Sequence, residues 1–87
     1  METIKVSGDS RSAAVAGAIA GIIRDQKHAE VVAIGAAALN KAIKALILAI
    51  DYLNADGIKI YCIPQSVELP IGDKVITGIK LVIDVSP

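Results

Sequence analysis

The spacing of apolar residues changes period along this chain, and the order of the changes leaves few folds open. Thr3 to Ser7 alternates, with Ile4 and Val6 against Thr3 and Lys5, the period-two pattern of a half-buried strand. Gly8-Asp9-Ser10 then supplies turn and helix-capping residues. From about Ser12 to Lys27, Val15, Ala16, Ile19, Ile22 and Ile23 recur at helical spacing. Gly17 and Gly21 lie four apart in that helix, which predicts close packing on a neighbour. His28 is expected to end the helix as a solvated residue near the C-terminal dipole, with no carboxylate at a useful spacing. Val31-Val32-Ala33-Ile34-Gly35 is a nearly continuous apolar run, as in an interior strand of a parallel pair.

Residues 36 to about 54 form the longest predicted helix, stopped by Asn54-Ala55-Asp56-Gly57. Ala36, Leu39, Ile43, Leu46, Ile47 and Ile50 are expected on its buried stripe, with Ala37, Asn40, Lys41, Lys44, Leu48, Asp51 and Tyr52 opposite. Ile58 to Ile63 alternates again, and Pro64 marks an edge strand or a bulge. The last strand runs roughly from Lys74 to Val85, and Gly72-Asp73 reads as a two-residue hairpin turn at the tip of an antiparallel arm.

The order is therefore β-α-β-α-β-β, which predicts an α/β chain of the α+β two-layer kind, a single domain over residues 1–87 without repeat or linker. Right-handed crossovers put both helices on one face of the sheet. Ile4, Val6, Ile58, Ile60, Cys62, Ile79, Leu81 and Ile83 then face the helices, while Lys5, Lys59, Tyr61, Ile63, Lys80 and Val82 face outward.

Composition narrows the function. Hydrophobic residues make up 54% of 87, a surplus that a domain this small hides partly as alanine and partly against another copy. Leu48 and Tyr52 on the second helix and Leu69 and Ile71 on the arm are the candidate oligomer interface. Nine basic residues balance nine acidic ones, so the chain lacks the globally basic signature of an indiscriminate nucleic-acid binder, and any anion site arises by local clustering. One cysteine and one histidine provide no metal-ligand set and no nucleophile-base pair. No phosphate-binding glycine loop follows a strand. Neither catalysis nor a metal, cofactor or small-molecule substrate is expected. The start Met1-Glu2-Thr3-Ile4-Lys5 lacks a signal pattern, and Gly17, Gly21, Lys41 and Lys44 interrupt the apolar stretches well short of about 18 residues, so a cytoplasmic protein with no membrane span is expected. Lone Cys62 reads as a buried, reduced thiol.

If the first two strands are parallel, both helices leave the same end of the sheet and their N-termini converge. Exposed backbone N–H groups and positive dipole ends favour phosphate there. Ser7, Ser10, Arg11 and Ser12 surround that place from the first loop, and Asn40, Lys41 and Lys44 from the second helix. The other reading is that the serines and Asp9 cap the first helix and the lysines solvate an exposed face.

Several stretches together resemble the stage V sporulation protein S family: Val6-Ser7; Val15-Ala16-Gly17-Ala18-Ile19-Ala20-Gly21; Ala33-Ile34-Gly35 through Asn40-Lys41-Ala42-Ile43-Lys44-Ala45; Cys62-Ile63-Pro64; and Gly78-Ile79-Lys80-Leu81. That family is similar in architecture to the Alba chromatin proteins and to the C-terminal domain of a bacterial initiation factor. The resemblance implies an Alba-like fold with sheet order 1-2-4-3. It also implies a non-enzymatic regulator of bacterial sporulation or development that forms a dimer or tetramer and binds DNA or RNA, here through Arg11, Asn40, Lys41 and Lys44. The chain has Asp9 where family members often carry Lys, and Ala13-Ala14 in place of an Asn-Ser pair. The arm tip, basic in Alba proteins, is Glu68-Leu69-Pro70-Ile71-Gly72-Asp73, so Alba's hairpin contacts are not transferred. A protein-interaction or assembly module that does not touch nucleic acid is the competing reading.

Overall fold

Parallel neighbours in a sheet need a crossover, and the first helix supplies it. The computed structural model describes residues 3–87. Its elements are β1 (Thr3–Val6), α1 (Ser12–Gln26), β2 (His28–Ala33), α2 (Ala36–Ala55), β3 (Ile60–Ile71) and β4 (Lys74–Val85). β1 pairs parallel with β2, while β4 pairs antiparallel with both β2 and β3, giving the sheet order β1-β2-β4-β3. The fold is thus the expected β-α-β-α-β-β arrangement with a mixed four-stranded sheet. Both helices cover the face carrying Val6, Ala29, Val31, Ala33, Leu81 and Ile83, and these residues form one core with them.

Three local readings are corrected. Helix α1 ends at Gln26, and Lys27 takes a left-handed conformation (φ 66°) as its C-cap, donating its N–H to the Ile23 carbonyl at 2.9 Å. His28 therefore opens β2 instead of closing α1. Gly17 and Gly21 do not pack closely, since a methyl group added to either would meet nothing within 4 Å. The close approach of α1 to α2 comes instead from Ala16 and Ala20 facing Ala38, Ala42, Ala45 and Ala49, all 3% exposed or less. That inward alanine row rotates the predicted buried stripe of α2. Ala36, Ile43 and Ile47 are exposed, Leu39 and Ile50 are half-buried, and Leu46 and Leu53 alone supply large buried side chains from this helix. Small residues win the inner face because they let two helices and the sheet approach closely, and interior packing leaves no room for longer side chains at those positions.

Strand β3 is the expected edge strand and runs through Pro64 for 12 residues to Ile71, paired with β4 throughout as the antiparallel arm. Pro64 is tolerated because β3 has a partner on one side only, so its missing N–H need not belong to a ladder. Gly72 (φ 61°) makes the two-residue turn. The hairpin reaches beyond the helical layer and stretches the molecule to 45 × 24 × 17 Å. Ile19, Ile23, Val31, Leu53 and Ile83 are fully buried, each contributing about 1.5–3 kcal/mol relative to exposure. Cys62 is half-buried, and burial raises its pKa.

Candidate nucleic-acid interface

Parallel β1 and β2 send α1 and α2 away from the same edge of the sheet, and the first loop closes the gap between the two helix starts. The Ser10 hydroxyl accepts the Ser7 backbone N–H at 2.9 Å, the Ser7 hydroxyl accepts that of Asp9 at 3.3 Å, and Ser10 N–H donates to the Ser7 carbonyl at 3.1 Å. These serines tie down the loop. They do not cap α1, whose N-cap is Arg11 without any side-chain hydrogen bond. Gly8 brings the loop against α2, since a methyl group on it would stand 3.2 Å from Ala37 Cβ.

Helix α2 starts in the same way. Gly35, at φ 88°, is an N-cap with no side chain to offer, and neither helix carries an acidic residue in its first turn. Leaving amides and dipole uncompensated makes a helix start receptive to anions. Arg11, Asn40 and Lys44 are exposed at this edge and Lys41 is half-buried. Among the described residues the ion pairs are Arg24–Asp56, His28–Glu30, His28–Asp84 and Lys80–Glu30, and none uses Arg11, Lys41 or Lys44. Arg11 is thus the N-cap of α1, Asn40, Lys41 and Lys44 lie on the first three turns of α2, and Asp9 is an exposed carboxylate in the first loop.

The anticipated interface residues are divided between two faces. Leu48 is half-buried against the core, and Tyr52 is 40% exposed on α2. Leu69 is half-buried and Ile71 is 52% exposed, both on the sheet face away from the helices. The sequence pattern misses Ile43 and Ile47, which are 39% and 55% exposed on α2.

A second group escapes the sequence pattern. On the open face, His28 Nδ1 lies 2.5 Å from Asp84 Oδ1, His28 Nε2 lies 3.0 Å from Glu30 Oε2, and Lys80 Nζ lies 3.3 Å from Glu30 Oε1. Ionised carboxylates only accept hydrogen bonds, so both contacts form fully when the imidazole carries both protons. The hydrogen bonds to Asp84 and then Glu30 raise the His28 pKa above the ordinary 6.5. The His28 hydrogen bond, helped by Lys80, holds Glu30 below the ordinary 4.5.

The fold is that of a small two-layer α+β protein in which neither helix start carries a side-chain cap or a first-turn carboxylate. No helix among the described residues is long and apolar enough to cross a membrane. The sequence profile of the stage V sporulation protein S family matches residues 2–86, and the chain belongs to that family. Membership connects the chain with sporulation.

Proposed function

We propose that this chain is a non-enzymatic, cytoplasmic regulator of bacterial sporulation or development that binds DNA or RNA as a small homodimer. The observation that carries the reading is the pair of helix starts without side-chain caps, one at Arg11 and one ahead of Lys41 and Lys44, with no carboxylate bound to any of the three among the described residues. Asn40 and the α2 amides position a phosphate, the three cations supply charge, and a symmetric partner doubles the set. Ile43 and Ile47 support self-association, because a monomer exposing both on one side of α2 leaves an apolar ridge in water. The acidic and apolar arm tip, from Glu68 to Asp73, favours the second reading of a protein-interaction or assembly module.

Fluorescence anisotropy on duplex DNA and on RNA separates the two. If a dimer neutralises about four phosphates, the log–log salt slope on duplex DNA is near −3.6. Lys41→Glu with Lys44→Glu then abolishes binding while circular dichroism and mass stay unchanged. A wild-type protein that shifts neither nucleic acid at low salt, or a double variant that binds equally well, hands the case to the interaction module.

A further inference from the structure

The hairpin closes over part of the open sheet face and creates a cleft of about 660 Å³ against the end of β1 and β2. That volume lies within the range of about 300–1,000 Å³ occupied by small-molecule sites. One ladder row crosses its wall: Lys5 is opposite Val32, Val32 is opposite Lys80, and Lys80 is opposite Gln65. Residues in register point to the same face, so two ammonium groups flank Val32 with an amide beside them. Lys80 is held by Glu30 at 3.3 Å. Lys5 has no carboxylate partner among the described residues.

The neighbouring position on β4 is Gly78, whose missing side chain lets apolar neighbours close in next to the charged row. A Cβ there would meet the Ala33 carbonyl oxygen at 3.1 Å, Ile34 Cγ1 at 3.2 Å and Leu69 Cδ1 at 3.4 Å. Ile34 and Leu69 thus converge over a backbone that has no side chain of its own. Ile71 extends the apolar wall along the arm. The cleft is cationic at one end and aliphatic at the other, and it lies on the face away from α2, so a dimer built on that helix leaves it open.

We propose that this cleft binds a small amphipathic carboxylate. The anionic head sits over Val32 between Lys5 and Lys80, and the apolar body lies along Ile34, Leu69 and Ile71. The head-group claim follows from charge: an ammonium without a carboxylate partner among the described residues, beside an apolar wall, attracts an anion that also removes aliphatic surface from water. Lys5 and Lys80 are not among the residues proposed to contact nucleic acid, while Ser7 and Gly8 of the first loop line the rim of the cleft.

Titration of the full chain with sodium decanoate, below its micelle concentration, tests this by calorimetry and amide chemical shifts. Saturable one-site binding is expected, with shifts centred on Lys5, Val32, Ile34, Leu69, Gly78 and Lys80. Lys5→Gln with Lys80→Gln weakens it at least about tenfold, the factor for losing one good ionic contact. Decanol, with the same tail and no charge, also binds at least about tenfold more weakly. Lys5→Gln alone, at an exposed strand position, serves if the double variant does not fold, and it too must weaken decanoate. Absence of saturation, equal affinity for decanol, unchanged affinity in the lysine variants, or shifts centred on α2 overturns the proposal.

Discussion

Replacing His28 with Gln removes the central donor of the open-face network and tests whether that network stabilises the sheet through charge. Hydrogen bonds to charged groups contribute about 1.5–3 kcal/mol each when water is excluded. Here His28, Glu30 and Asp84 keep 23%, 20% and 32% of their side-chain exposure. Solvent screening therefore reduces the two contacts together to about 1–2 kcal/mol. For a domain of this length that corresponds to a melting-temperature loss of about 5–15 °C.

The sign depends on pH. Because the folded-state pKa of His28 is raised, its contribution is complete below the unfolded value near 6.5 and disappears as pH climbs through the folded value. Glu30 is lowered from 4.5, so its share is present above that point and disappears as pH falls through its folded pKa. The His28→Gln deficit is thus largest between about pH 5 and 6.5 and shrinks towards pH 9. Thermal melts of both proteins by circular dichroism, at one fixed concentration so that association does not intrude, measure it. An equal deficit at pH 5.5 and pH 9, or none at pH 5.5, refutes the account.

Ile43→Asp with Ile47→Asp converts a dimer to monomer in light scattering at tens of micromolar while the helix signal persists; an unchanged mass moves the interface off this ridge. Lys27→Gly relieves the left-handed C-cap of α1 and raises stability by about 0.5–1 kcal/mol in urea titration, whereas a loss shows that the Lys27 side chain matters more than its backbone. Leu53→Ala, at a fully buried position, costs about 2–5 kcal/mol by the same titration, and a cost below about 1 kcal/mol contradicts the packing described for α2.

Sequence pattern reaches the topology because long alternation and the Gly72-Asp73 turn are local signals. The bounds of β4 and the convergence of the helix starts follow from the same reasoning. The inner face of α2 is hidden from it, since a wheel weighted by hydrophobicity selects Ile43 and Ile47 while close helix packing selects Ala42, Ala45 and Ala49. His28 is obscured differently. Placing it at a helix end conceals that Glu30, two residues on in a strand, shares its face, and Asp84 becomes its neighbour only through the β2–β4 register. The cleft depends on Leu69 and Ile71 of the hairpin meeting Ile34 and the end of β1, which no periodicity encodes. The position of Arg11 at the start of α1 and of Asn40, Lys41 and Lys44 on the early turns of α2 is legible because element order alone fixes it.

The alanine seam between α1 and α2 inverts the usual map of mutational tolerance. Enlarging Ala42 or Ala45 by even two methylene groups forces the helices apart, so the least hydrophobic apolar residues of α2 become the least replaceable. Ile47, far greasier, accepts a polar substitute at no cost to an isolated subunit. Variation at the seam therefore changes whether the chain folds, and variation at Ile43 and Ile47 changes only the surface it presents, which allows the two traits to be altered separately within a single helix.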